Sequence, residues 1–422
     1  MNSIFADQVV ERAMPKLAGF DHSRALAGDP YRFISRHCRD LSTPVFQARF
    51  GWGRTLCLSG ARAAELFFDR RRFVCGSPSR ALMRPMLLAD LSQHDPDNDV
   101  LFGDARDVAS RLMPPDAGQA LVDGAERIWY EMTHTWRHLP EFVFYRVTQQ
   151  WLVRTALDWA GVPVPKEELA LRSGQLIALF DSAASGPLAL LNGRRARWQA
   201  ESWLADVITQ ARRGQITLDP GTPAQAASGL RQDTGELVAA RRAAGELLDL
   251  LVPVAAVSVF VVLAAHALAM YPEQAAALRG EGSAQTLAFV QEVQRFYPFL
   301  PLVTAHVRED FVWDGYRFSR GQRAMLDLYG ACHDPKKWGD PDVFRPQRFL
   351  EHAGAGEVPL ENADLDPGQR PTVRLMCLAV QLLGNCSRYE LAEQDLSIQM
   401  SRMPAVPSSG LLIRDFQPIE IW

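Results

Sequence analysis

The chain has 422 residues, 47% of them hydrophobic and 22% charged, with a formal net charge of -4. That is globular composition, and its weakly acidic balance excludes the basic footprint of a nucleic-acid binder or of a protein drawn to an anionic membrane surface. Six scattered cysteines, Cys38, Cys57, Cys75, Cys332, Cys377 and Cys386, include no C-x-x-C pair, so neither a zinc ribbon nor a dithiol redox motif is indicated. The N-terminal MNSIFADQVVERAMPKL has acidic residues early and no long apolar run, which does not read as a signal peptide, so a cytoplasmic location is expected.

Taken in order, Asp29 to Arg39 reads as a helix with Asp29 as N-cap and Pro30 in its first turn. VFQARF and TLCLSG alternate as two strands, and Gly60 to Phe68 returns to helix. Ser92 to Asp104 is rich in turn formers and is expected to be a loop. From Ala117 to Ala160 the pattern is helical and heavily aromatic, which is the spacing of a core. Further helices fit Glu167 to Ser182 and Arg195 to Gly214, and the Pro/Gly/Ala-rich Thr217 to Gly229 reads as a surface connection. Glu236 to Met270 is a long helix interrupted by Pro253, which deletes one backbone hydrogen bond and kinks it. Its segment Leu250 to Ala265, bounded by Asp249 and His266, carries no charge. It is short for a bilayer, which needs about 20 residues, so a buried helix and no membrane span are expected. Short strands follow around Val303 to Val307, Phe311 to Trp313 and Ala324 to Leu328. Thr372 to Cys386 is helical, and Leu396 to Ile413 is strand and turn. No linker divides the chain, so one domain over residues 1–422 is expected.

The stretch FVQEVQRFYP, Phe289 to Pro298, places Glu292 and Arg295 three apart on one helix face. Alone, that is the pattern of any surface ion pair. It is followed, after short strands, by DPDVFRPQRF, Asp340 to Phe349, and the ordered pair of motifs resembles the cytochrome P450 family. FVQEVQRFYPFLP, the strand region through VFRPQRF, and EQDLSIQMSRMPAVPSSGLLIR are similar to its fatty-acid peroxygenase branch, as are FQAR at Phe46, WAGVPV at Trp159 and GRRAR at Gly193. The resemblance implies a mainly α fold with small β-sheets, the cytochrome P450 fold. It also implies a buried structural triad of Glu292, Arg295 and Arg348, with Arg345 as a substitute for the last. A guanidinium forked onto a carboxylate suits such a site, because buried charges persist only when paired.

The resemblance also says what is missing. The family ligates haem iron through a cysteine in a Cys-Pro-Gly-Glu pattern, and the matching residues here are Asp366-Pro367-Gly368-Gln369. Asp366 thus holds the ligand position, although a carboxylate is a harder, weaker donor than thiolate, and Asp366 also reads as the N-cap of the next helix. Cys377 is eleven residues on, about 16 Å along a helix, too far to take that place. The branch carries an Arg before the helix proline, to hold the fatty-acid carboxylate. Here that residue is Val252, and Arg241 and Arg242 are about three turns away. The branch's basic segment that meets a haem propionate is replaced by HDPDNDVLFGDARD, with His94 as a remnant.

All three losses concern one ligand set, so no cofactor is expected, and haem only with a non-cysteine ligand. Three readings stay open. One is a haem-free enzyme of natural-product metabolism, catalysing cyclisation, isomerisation or dehydration of an apolar small molecule, free or bound to a carrier protein. In it Asp249, His306 and Asp366 are the acid/base candidates, and Val252, Pro253 and Ala256 line the substrate. The second is a haem peroxygenase or peroxidase with an altered axial ligand such as Asp366. The third is a non-catalytic protein that binds a hydrophobic ligand or a partner. Each candidate side chain also has an ordinary structural or solvated explanation.

Overall fold

The computed structural model describes residues 11–51, 53–75, 112–113, 117–181, 187–232, 234–278, 283–297, 300–351 and 371–419. Asp366, His94, Pro298 and the expected loop at 92–104 lie outside them. The architecture is mainly α with small β-sheets, in line with the sequence.

The N-terminal part holds α1 (Ser23–Gly28), α2 (Phe33–Asp40), β1 (Val45–Phe50), β2 (Gly53–Ser59), α3 (Ala61–Phe67) and β3 (Phe73–Cys75). The first long helix expected at Asp29 starts later, at Phe33, because Asp29 closes α1 and its carbonyl accepts from Phe33 N in a turn. The expected unbroken helical run from Ala117 splits into α4 (Ala117–Trp136), β4 (Glu141–Val143) and α5 (Phe144–Trp159). Pro140 has no N–H to continue the ladder and biases its predecessor away from helix.

After α5, Gly161 turns at φ +67, where a Cβ would lie 2.6 Å from Thr222 Oγ1. This tight passage brings in α8 (Pro223–Ser228), whose Ala224 and Ala227 are fully buried, so the expected surface connection contributes to the core. Between them run α6 (Leu169–Asp181) and α7 (Pro187–Arg212). Next come α9 (Ala240–Met270), α10 (Pro272–Ala277) and α11 (Ser283–Phe296). Then follow β5 (Leu302–Val307), β6 (Phe311–Trp313), β7 (Tyr316–Phe318), β8 (Arg323–Asp327), α12 (Leu328–Cys332), α13 (Pro335–Trp338) and α14 (Arg348–Glu351). The last elements are α15 (Pro371–Gly384), β9 (Ser387–Leu391) and β10 (Leu412–Pro418).

The helical core is built around α9, which packs against α5, α7 and α15. Among the described residues α9 is the one helix long and apolar enough to cross a membrane, and 83% of its most apolar window is buried inside the protein. An all-round apolar helix gains by being surrounded with protein. Beside it stands a five-stranded sheet of order β1-β2-β8-β5-β3, in which β2 and β8 run parallel and the other pairs antiparallel. A three-stranded sheet, β4-β10-β9, and the β6-β7 hairpin complete the described architecture.

Candidate functional site

Glu292 and Arg295 of α11 and Arg348 of α14 meet in a fully buried cluster. Arg295 donates from Nε and Nη2 to the two Glu292 oxygens, each at 2.8 Å, in a fork that fixes both planes. Arg348 Nε lies 3.2 Å from Glu292 Oε2. Arg345 donates its backbone N–H to Glu292 Oε1 at 2.7 Å, while its exposed side chain turns to Glu351. The guanidiniums use their remaining N–H groups on carbonyls. Arg295 Nη1 donates to Cys332 and Pro341 and its Nη2 to Val343, and Arg348 Nη2 donates to Asp340 and Val343. Two cations on one carboxylate would leave a buried excess of charge, and these carbonyl dipoles offset it. The cluster thereby holds the segment between α13 and α14.

The candidate binding wall is α9. Val252 is completely buried and Ala256 is 3% exposed, while Pro253 is half-buried. Between Ala243 and Ala267 the positions not fully buried are Gly245, Asp249, Leu250 and Pro253. Gly245, Asp249 and Pro253 recur every four residues, which puts them on one face. Asp249 is there engaged. Arg197 of α7 donates from Nη2 to Asp249 Oδ1 at 3.4 Å and from Nε to Glu201 Oε1 at 2.7 Å. Arg241 Nη2 is 3.5 Å from Glu201, and Arg242 lies 3.8 Å from Glu246 one turn along. The surroundings of Asp249 are a chain of alternating charges, which the sequence did not reveal; Arg197 lies in the GRRAR stretch noted there for other reasons.

His306 sits elsewhere, on β5, half-buried and in register with Arg323 of β8 and Val74 of β3. The structure therefore places Asp249, Val252, Pro253 and Ala256 within two turns of one another on α9, and His306 on β5 of the five-stranded sheet. At the other end of the apolar run, His266 has Nδ1 3.0 Å from Tyr297 Oη and Nε2 3.0 Å from the Leu396 carbonyl. Burial lowers its pKa, so the ring is held neutral. Sequence reasoning used His266 only as the end of an apolar run. A cavity of about 360 Å³ opens near this end, lined by Leu268, Leu278, Val380, Leu383, Ser387 and Arg388. Leu268 is fifteen residues past Pro253, about 22 Å along the helix, so this cavity is distinct from the wall at Val252.

No cluster of three or more metal-binding side chains occurs among the described residues. Cys38, Cys57, Cys332, Cys377 and Cys386 are free thiols, and burial pushes the pKa of Cys38, Cys332 and Cys377 up to about 12.

A sequence model of the cytochrome P450 family matches residues 286–363, the span of the buried charge cluster. The O-methylsterigmatocystin oxidoreductase of Aspergillus flavus is 43% identical over 65 residues, 15% of this chain and 12% of that protein. Dimethylnonatriene synthase of Arabidopsis thaliana is 42% identical over 143 residues, 32% of this chain and 26% of that protein. These matches thus span less than a third of the curated relatives. Solved structures match far more completely. Cytochrome P450SP alpha (CYP152B1) in complex with (R)-ibuprophen is 36% identical with a TM-score of 0.82, over 94% of this chain and 99% of that one. Cytochrome P450EX alpha (CYP152N1) with myristic acid is 30% identical with a TM-score of 0.82, over 96% and 100%.

These similarities point to haem as the cofactor, because cytochromes P450 are haem proteins. The expectation of no cofactor is thereby corrected. It rested on motif loss in one sequence, whereas the likeness extends over nearly the whole fold. The described residues fit the group in part. The apolar flanks of α9 and of α15, with Val373, Met376 and Ala379 buried, suit the faces of a macrocycle. A thiolate donor is not evident among the described residues: burial raises the thiols of Cys38, Cys57, Cys332 and Cys377, and residues 333–376 contain no cysteine. The near-complete coverage at 36% identity places the chain in the cytochrome P450 family, beside the CYP152 fatty-acid peroxygenases.

Proposed function

We propose that this P450-fold enzyme takes up haem through a donor other than cysteine, with Asp366 at the ligand position, and acts on an uncharged apolar small molecule. The observation that carries the substrate class is the pairing at α9. Val252 cannot receive a carboxylate, and Arg197, the guanidinium placed on Asp249 of that helix, already serves Asp249 and Glu201. An alkyl chain reaching Pro253 meets an apolar wall and a charge-balanced rim, so binding rests on burial of apolar surface, about 25 cal/mol per Å². The CYP152 structures hold ibuprophen and myristic acid, both carboxylic acids with a large apolar body, which supports the hydrophobic part of the ligand class.

The test is an absorption spectrum of protein expressed with haem precursor, then of its ferrous carbonyl complex. A stoichiometric Soret band without the thiolate-type carbonyl shift, altered in Asp366→Ala, is the expected result. A thiolate-type carbonyl spectrum, or no haem at all, overturns the proposal. A second reading, a non-catalytic binder of an apolar ligand, is favoured by one observation: both polar groups that bound the apolar run of α9, Asp249 and His266, are already engaged. It predicts ligand binding without turnover.

A further inference from the structure

We infer that Asp249 is a specificity-determining residue that masks Arg197 and so turns the binding wall away from carboxylates; this rests on the apolar-ligand reading above. Asp249 and Pro253 lie one turn apart on the one partly open face of α9, so a ligand at Pro253 is within reach of the Asp249–Arg197 pair. The pair is well shielded, with side chains 15% and 16% exposed, where charge interactions outweigh those in bulk water. Glu201 anchors the Nε edge of the guanidinium at 2.7 Å and thus orients it, while Asp249 takes Nη2 at the longer 3.4 Å. Arg197 and Arg241 face Glu201, and Arg197 also faces Asp249. Replacing Asp249 by Asn withdraws one negative charge from this group and leaves the oriented guanidinium one carboxylate short. That is the environment a ligand carboxylate seeks.

The probes are dodecanoate and 1-dodecanol, titrated by calorimetry against the full chain, with the ratio of their affinities as the readout. Wild type is expected to favour the alcohol. Asp249→Asn is expected to shift the ratio at least about tenfold toward the carboxylate, the scale of one charge-assisted hydrogen bond. High salt should shrink that gain, and Asp249→Asn/Arg197→Gln should abolish it. A purely structural role would move both affinities together and leave the ratio unchanged. An unchanged ratio in Asp249→Asn, or a gain that survives in the double variant, overturns the inference. If Asp249→Asn does not fold, Asp249→Ser, which likewise withdraws the carboxylate and leaves Glu201 to orient Arg197, is read in the same way. Wild type that binds neither probe overturns the apolar-ligand reading itself.

Discussion

Replacing Glu292 by Gln tests the buried cluster most directly. Four donors converge on this carboxylate: Arg295 Nε and Nη2, Arg348 Nε and the Arg345 backbone N–H. Gln keeps one acceptor oxygen, but it exchanges the other for an amide whose N–H groups face a guanidinium. Two cations then remain buried without a counter-charge. Removing one partner of a buried pair costs about 3–5 kcal/mol, against a total stability of about 5–15 kcal/mol. Urea unfolding followed by far-ultraviolet circular dichroism at pH 7 should show a strongly lowered midpoint with the slope unchanged. Arg345→Ala is the control. Its side chain is exposed and, among the described residues, pairs with Glu351 at 3.6 Å, so the expected change is within about 0.5 kcal/mol. A loss below about 1 kcal/mol for Glu292→Gln, or an equal loss for Arg345→Ala, would refute the assignment of the staple to Glu292, Arg295 and Arg348.

Asp327 is 2% exposed, and burial pushes its pKa up to about 6. A raised folded-state value means that the folded protein holds the proton more tightly, so stability falls as pH rises from about 4 to about 6, by about 3 kcal/mol. Asp327→Asn, which keeps an acceptor for the Gly330 N–H at the start of α12, should flatten that slope in unfolding curves taken across this range. Gly330→Ala should lower the thermal midpoint by the equivalent of about 1–3 kcal/mol, because its Cβ would stand 2.5 Å from Asp327 Oδ2 and Ser59 Oγ; an unshifted midpoint would show that the α12 cap can yield. His266→Ala should cost about 1–3 kcal/mol, since it strips partners from Tyr297 Oη and the Leu396 carbonyl. It should also remove an acid-side loss of stability, because the lowered pKa of His266 means its contribution disappears as pH falls.

The parts of the fold legible in the sequence are those written in local spacing. Glu292 and Arg295 share a helical face, and Arg348 follows in a motif whose order specifies the partner. The buried nature of α9 follows from an uncharged run too short for a bilayer. Other features depend on contacts that periodicity does not encode. Arg197 and Asp249 are 52 positions apart, and their pairing exists only because α7 packs on α9. Pro140 breaks a run whose aromatic pattern is helical on both sides, so pattern alone joined α4 to α5. Thr217 to Gly229 has the composition of a loop, yet Ala224 and Ala227 are small enough to be buried under the Gly161 turn. The cofactor was misread for a related reason. Local motif loss at Asp366 and Val252 outweighed a likeness distributed over the whole chain.

Arg295 and Arg348 grip the stretch after α13 by its carbonyl oxygens, those of Asp340, Pro341 and Val343 among them. The side chains of Asp340, Asp342 and Val343 face solvent. A carbonyl is common to every residue type, so the two guanidiniums fix the course of this segment without regard to what is spelled there. Its path and its spelling are decoupled. Surface chemistry on this side of the molecule can be rewritten, for solubility or for a new binding partner, while the path from α13 to α14 stays in place.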